Sequence, residues 1–161
     1  MSSTDCYHLD TCFLIDYLTE QKNNREIHRK AKQVIDNLNY KRIGVSISQI
    51  ATGEFIKVAA SKGYRNQTII DFYESLLANR YVITSVEPSD TDKFVDLSKE
   101  LRKAEKWVGQ TDVLILAHSM VASNCMGLLT FAGDLISNPI IDAIQKKWVD
   151  RKFIITSDPF R

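Results

Sequence analysis

The run from Cys125 to Phe131, CMGLLTF, is apolar at almost every position. A strand that is buried on both faces of a parallel sheet has this nearly continuous apolar pattern. Apolar residues alternate at Ile43, Val45 and Ile47, which predicts a second strand. Shorter apolar segments predict three further strands, over residues 7–9, 81–86 and 153–155. The framework of the chain is therefore a set of short strands.

Segments with helical periodicity separate these strands. Their apolar residues recur every three or four positions, which places those residues on one face of a helix. Helices are predicted over residues 11–18, 25–38, 48–61 with Ser48 as the N-cap, 64–78, 89 or 90 to about 106, 111–118 with Thr111 as the N-cap, and 140–149. Strands that alternate with helices predict an α/β fold with a mostly parallel sheet. The 161 residues contain no repeat or long linker, so a single domain over 1–161 is expected.

Charge and cysteine content exclude several classes of protein. The 21 Lys and Arg residues balance 20 Asp and Glu residues, so a polyanionic partner would have to meet local basic patches. The three cysteines lack a C-x-x-C spacing, which argues against a disulfide scaffold or zinc knuckle and fits a reducing compartment. No apolar run approaches the ~20 residues that cross a bilayer, and no signal peptide precedes the first strand. We expect a soluble, cytoplasmic protein with no membrane partner.

Acidic residues lie at the ends of predicted strands and on predicted helices. Asp10 follows the first predicted strand directly, and Asp134 and Asp158 follow the last two. Glu54 lies on the apolar stripe of its predicted helix, and Asp112 lies in the first turn of another. Ligands of parallel sheets usually bind in the crevice outside the carboxyl ends of the strands. Most of these acids are therefore predicted near one crevice.

Each acid also has an ordinary interpretation. A carboxylate at Asp112 is stabilised by the positive end of the helix dipole without any further role. Glu54 can lie at the edge of the apolar stripe and reach water with its long side chain. Asp16 is expected on the solvent side of the first helix together with Glu20, and Asp158 precedes a proline in a terminal turn.

Several carboxylates in one crevice repel each other unless a cation neutralises them. Mg²⁺ and Mn²⁺ bind oxygen ligands and keep several waters, one of which can serve as a nucleophile. The chain has no His-x-x-His or paired cysteines near these acids, so the set fits Mg²⁺ or Mn²⁺ better than zinc.

Four segments together resemble the motifs of PIN-domain nucleases. The first, LDTCFLID over 9–16, is similar to the opening D-[TS]-x-x-L of the family. The second, SISQIATGE over 46–54, is similar to the family's strand, serine and helix, with an acid six residues after the serine. The other two are TDVLILA over 111–117 and LLTF over 128–131. Their order and spacing agree with the family over nearly the whole chain. One position departs, because the family often has an acid two residues after the last motif threonine and this chain has Ala132. Asp134 is the nearest acid that could replace it.

The resemblance implies a three-layer sandwich with a central, mostly parallel five-stranded sheet flanked by helices. It also implies metal-dependent hydrolysis of RNA, single-stranded RNA in particular, that leaves a 5′-phosphate and a 3′-hydroxyl. Asp10 and Asp112 would be the main ligands of Mg²⁺ or Mn²⁺, and Glu54 would ligate directly or through water. Asp134 would assist through water or a second ion. Thr11, Ser48 and Thr130 would orient these carboxylates by hydrogen bonds.

The sequence leaves the partners and the biological role open. Basic residues near the crevice for RNA phosphates are Arg25, Arg29, Lys30 and Lys32, or the segment 62–65, although both are typical solvated faces. PIN domains are often homodimers. A catalytically weak or inactive PIN-like module that binds RNA or protein is the alternative that Ala132 favours. A toxin with an antitoxin partner is a further role, although the helical section over 64–106 is long for such compact toxins.

Overall fold

Five short strands form one sheet at the centre of the computed structural model, which describes residues 5–18, 25–78 and 81–161. The strands are β1 (Cys6–Leu9), β2 (Gly44–Ser48), β3 (Val82–Thr84), β4 (Cys125–Leu129) and β5 (Ile154–Thr156). They lie in the order β3-β2-β1-β4-β5, and every neighbouring pair is parallel. The predicted α/β fold with a five-stranded sheet is therefore confirmed, and the sheet is wholly parallel.

The order of the strands reverses beside β1, which has β2 on one side and β4 on the other. In open α/β sheets this reversal opens a crevice outside the carboxyl ends of the strands. Leu9 and Leu129 are in register at the ends of β1 and β4, and the Asp10 N–H donates to the Leu129 carbonyl at 2.9 Å. The residues that follow these two strands therefore emerge side by side, although they are far apart in the chain.

Helices flank the sheet and make the connections between parallel strands. They are α1 (Thr11–Leu18), α2 (Arg25–Tyr40), α3 (Gln49–Ser61), α4 (Asn66–Ala78), α5 (Thr91–Leu101), α6 (Glu105–Val108), α7 (Gln110–Val121), α8 (Gly133–Ile136) and α9 (Pro139–Trp148), with 3-10 turns at Pro88–Asp90 and Arg102–Ala104. No helix within the described ranges is both long and apolar enough to cross a bilayer.

The predicted N-cap of one helix and the continuity of another are wrong. Helix α7 begins at Gln110 with Gly109 as its N-cap, so Thr111 lies inside the first turn and is not the cap. Gly109 has φ 86° and ψ 162°, a conformation that side chains with a Cβ rarely adopt, and it turns the chain sharply from α6 into α7. The single helix predicted from 89 or 90 to 106 is instead divided by the Arg102–Ala104 turn, and Ala104 and Val108 are both buried in the core.

The core lies between the sheet and its helices, with Leu9, Ile47 and Leu128 completely buried. At Gly127 on β4, a Cβ would overlap the backbone carbonyl of Ile154 on β5, so glycine allows these two strands to pair closely.

Strand β3, Val82–Thr84, is shorter than the strand predicted over residues 81–86. The predicted pairing of Asp16 with Glu20 depends on residues outside the described ranges.

Candidate active site

Asp10 lies at the floor of a cleft, directly after β1, and only 2% of it is exposed. Its Oδ1 accepts a hydrogen bond from the Thr11 N–H at 2.9 Å. Its Oδ2 accepts from the Thr130 hydroxyl at 2.7 Å and from the Cys12 thiol at 3.2 Å. Burial raises the pKa of Asp10, and these three hydrogen bonds act in the opposite direction. The carboxylate is therefore fixed in orientation by residues from α1 and from the loop after β4.

Glu54 reaches the same cleft from α3. The Ser48 hydroxyl caps this helix by accepting from the Ile50 N–H at 3.2 Å, which fixes where α3 begins and hence where Glu54 points. The Thr11 hydroxyl donates to Glu54 Oε2 at 2.6 Å. Thr11 thus contacts both carboxylates, since its backbone N–H binds Asp10 and its side chain binds Glu54.

Asp112 completes the acidic part of the cleft from the first turn of α7. Its pKa is raised to about 7, first by burial and then by the negative charges of Asp10 and Glu54. The electrostatic effect of the other two acids shows that the three carboxyl groups share one environment.

The cleft has a volume of about 260 Å³. It is lined by Asp10, Thr11, Cys12, Ile15, Asp16, Glu54, Val58, Lys62, Asp112 and Ala132. Three of the four predicted site acids are therefore brought together. The fourth, Asp134, is exposed on α8 and is not among these lining residues, whereas Ala132 is.

Cys12 and Asp16 line the cleft but were not among the predicted site residues. They are separated by four positions on α1 and therefore share a helix face, and this spacing could have identified them once Thr11 was placed in the site. Asp16 was expected on the solvent side, and it is half-buried instead. Burial raises the pKa of Cys12 to about 12, so its thiol stays protonated and donates a hydrogen bond to Asp10.

The donors of the cleft fit a hard divalent cation in their chemistry. The three carboxyl groups offer oxygen ligands, and the Thr11 and Thr130 hydroxyl groups orient two of them, Glu54 and Asp10, by hydrogen bonds. The geometry is open, because no group of three or more His, Cys, Asp or Glu side chains in the described residues is arranged to hold a metal ion. A cation would therefore have to draw the side chains closer together.

Only one of the two predicted basic regions contributes to this cleft. Lys62, which directly follows α3, lines it. In α2, Lys30 pairs with Glu26 at 2.9 Å on the surface, and none of the basic residues of α2 lines the cleft.

The model of the PIN domain family matches residues 7–136. A comparison with the sequences of curated proteins gives no match. Among solved structures, the VapBC2 complex of Rickettsia felis, bound to a DNA fragment from its promoter, is similar with a TM-score of 0.64 and 19% identity, over 93% of this chain and 98% of that chain. A toxin–antitoxin complex from Klebsiella pneumoniae has a TM-score of 0.57 and 21% identity, over 83% of this chain and 93% of that chain.

The toxin VapC20 of Mycobacterium tuberculosis, which cleaves the sarcin-ricin loop, has a TM-score of 0.54 and 15% identity. The alignment covers 91% of this chain and 98% of that chain. At these identities the likeness is one of fold.

Proposed function

This chain belongs to the PIN-domain family, and from that premise we propose that it is a metal-dependent ribonuclease that hydrolyses RNA phosphodiester bonds in its acidic cleft. PIN domains generally depend on divalent metals. The observation that carries the proposal is the convergence of Asp10, Glu54 and Asp112 on one cleft, where burial and then the negative charges of Asp10 and Glu54 raise the pKa of Asp112.

Asp10 and Asp112 would hold Mg²⁺ or Mn²⁺, and Glu54 would ligate the ion or orient one of its waters. When bound, the ion supplies charge stabilisation at the phosphodiester and makes water a stronger nucleophile. Thr11 and Thr130 keep the carboxylates of Glu54 and Asp10 in place through their hydroxyl groups. The products would carry a 5′-phosphate and a 3′-hydroxyl.

The test of this function is cleavage of a labelled single-stranded RNA with Mn²⁺ by purified wild-type protein and by an Asp112→Asn variant. The amide keeps the shape but cannot hold the cation, so we expect activity to fall by about two or more orders of magnitude. Asp142→Asn on α9 is the matched control, because Asp142 is exposed and does not line the cleft. EDTA should stop the reaction. Equal activity of the wild type and Asp112→Asn would rule out this site.

We further propose an antitoxin as the protein partner and a homodimer as the assembly. The support for the antitoxin is that two of the similar solved structures are toxin–antitoxin complexes. Size-exclusion chromatography with light scattering tests the homodimer. Co-expression with a candidate antitoxin, followed by a pull-down, tests the protein partner.

A second function is favoured by one observation. Ala132 lines the cleft where many PIN domains have an acid, and Asp134 is exposed outside it. A site with three acids binds a cation more weakly than a site with four. The alternative is therefore a PIN-domain module that binds RNA or protein without cleaving, and Mn²⁺ binding distinguishes the two.

A further inference from the structure

The acidic cleft continues outwards between two helix faces. On α3, Glu54, Val58 and the following Lys62 recur at intervals of four residues and therefore lie in one row. This row rises by roughly 12 Å from Glu54 to Lys62, at 1.5 Å per residue. Exposure increases along it, because Glu54 and Val58 are half-buried and Lys62 is exposed.

The facing wall is formed by α1. Cys12 and Asp16 share a face of this helix, and Ile15 also lines the cleft. Asp16 lies further from the floor than Cys12, whose thiol contacts Asp10. The two walls thus define a channel with an inner end at the three carboxylates, an apolar middle at Ile15 and Val58, and an outer end at Asp16 and Lys62.

The two ends of the channel have different charge. At the inner end, the charged groups that act on Asp112 are the anions Asp10 and Glu54. At the outer end, burial raises the pKa of Asp16, and the positive charges of Lys62 and then His28 lower it. Among the described residues that line the cleft, Lys62 is the only cation. The inner end therefore attracts a cation, and the outer end presents one.

We propose that Lys62 binds a phosphate of the RNA strand next to the one that is cleaved, so that the site acts on oligonucleotides in preference to dinucleotides. The inference rests on the proposed function, because it assigns the cleaved phosphate to the inner end. A phosphodiester chain has the matching pattern, since one phosphate lies at the cation site and its neighbour lies along the channel at the ammonium group. Val58 and Ile15 face the sugar and base between them.

An ordinary alternative is that Lys62 only compensates the charge of Asp16 and is otherwise solvated. The two interpretations differ in their dependence on substrate length. A dinucleotide has one phosphodiester, which binds at the inner end, so no second phosphate is present to contact Lys62. A longer strand occupies both ends.

The experiment compares a dinucleotide with a hexanucleotide as substrates of the wild type and of Lys62→Met, Lys62→Arg and Lys57→Met. Lys57 is the matched control, because it is an exposed lysine of α3, the helix that Lys62 follows, and does not line the cleft. With Lys62→Met we expect KM for the hexanucleotide to rise roughly fivefold, the effect of about one lost charge contact. Cleavage of the dinucleotide should not change. Lys57→Met should behave as the wild type with both substrates. Lys62→Arg keeps the positive charge, so its KM for the hexanucleotide should rise less than that of Lys62→Met.

A binding measurement tests the same inference without catalysis. The Asp112→Asn protein and its Lys62→Met double variant are titrated with fluorescent single-stranded RNA at several salt concentrations. Loss of one phosphate contact should make the slope of log K against log salt shallower by about 0.7. The slope should not change when Lys57→Met replaces Lys62→Met.

The results separate the two proposals. A wild-type protein that cleaves neither substrate overturns the proposed function, and the salt slope then decides on Lys62 alone. A protein that cleaves RNA while Lys62→Met leaves the hexanucleotide KM and the salt slope unchanged overturns only the role of Lys62. An equal loss on the dinucleotide and the hexanucleotide also overturns it, since the residue would then act at the inner end.

Discussion

The carboxyl group of Asp112 is more easily protonated than an ordinary aspartate. Burial and the charges of Asp10 and Glu54 raise its pKa from 3.8 to about 7. An acid whose pKa is higher in the folded state than in the unfolded chain binds its proton more tightly when folded. Below pH 4, protonated Asp112 therefore increases the free energy of unfolding of the metal-free protein. This stabilisation is lost as the pH rises from about 4 to 7.

The first prediction follows from this direction of the change in stability with pH. In EDTA, the melting temperature of the wild type should decline relative to that of Asp112→Asn as the pH rises from about 4 to 7, and the difference should stay constant above pH 7. The comparison with the variant removes the contributions of acids that do not act on Asp112, including the raised pKa of Asp16. Parallel melting profiles of the two proteins across this range would contradict the raised pKa.

The second prediction concerns the effect of Ala132 and Asp134 on metal binding. A fourth carboxylate helps a cation only if it faces an open position of that cation. Ala132 lines the cleft and Asp134 is exposed outside its lining, so Ala132→Asp should tighten Mn²⁺ binding, by roughly tenfold on the scale of other site-supporting groups. Asp134→Ala should change it little.

Isothermal titration of both variants with Mn²⁺ measures this directly. Weaker binding by Asp134→Ala together with no gain from Ala132→Asp would assign the fourth acid to Asp134. That result would require α8 to approach the cleft when the cation binds.

At the scale of elements, two helix caps differ in what they support. Asn138 Oδ1 accepts from the N–H groups of Ile140 and Ile141 at 3.0 and 3.3 Å and caps α9, which does not line the cleft. Ser48 caps α3, which carries Glu54, and its hydroxyl lies 2.7 Å from Nδ1 of the buried His118.

We predict that Asn138→Ala lowers the free energy of unfolding by about 1 kcal/mol and leaves cleavage unchanged. Ser48→Ala should cost about 2 kcal/mol or more, because it also leaves a buried imidazole nitrogen without its partner, and it should reduce cleavage. Urea denaturation and the RNA assay measure the two effects. An equal loss of activity in both variants would contradict the distinction.

The elements that could be predicted from the sequence are those whose pattern is local. The apolar run of β4, the alternation in β2 and the serine at the start of α3 each predict their element, and the structure has all three. Thr111 was wrongly predicted to be the N-cap of α7 because threonine is a common N-cap residue. The conformation of Gly109 decides where this helix begins. The face of Asp16 could be predicted only after Thr11 was placed in the site, because it depends on where α3 packs against α1.

At the scale of the whole molecule, the site is a consequence of the strand order. Residues 10, 54, 112 and 130 are distant in the chain, and the reversal between β1 and β4 places the first and last of them at one edge of the sheet. The sequence predicted that Asp10, Glu54 and Asp112 share a crevice, because Asp10 directly follows a strand, Glu54 lies on the apolar stripe of its helix and Asp112 lies in the first turn of another. It could not predict the placement of Asp134, since a short helix, α8, begins directly after Ala132.

The last prediction concerns the stability of the whole domain and separates a ribonuclease from a module without catalysis. A ligand that binds only the folded state stabilises it by RT ln(1 + [L]/Kd), about 2.7 kcal/mol at a hundredfold excess over Kd. For a domain of this size, this corresponds to a rise in melting temperature of roughly 5–10 °C. Saturating Mn²⁺ should raise the melting temperature of the wild type by this amount and that of Asp10→Asn by much less. Asp142→Asn, whose charge lies outside the cleft, should respond as the wild type does. A wild-type melting temperature that Mn²⁺ leaves unchanged would remove the basis for metal-dependent cleavage and favour the module that only binds.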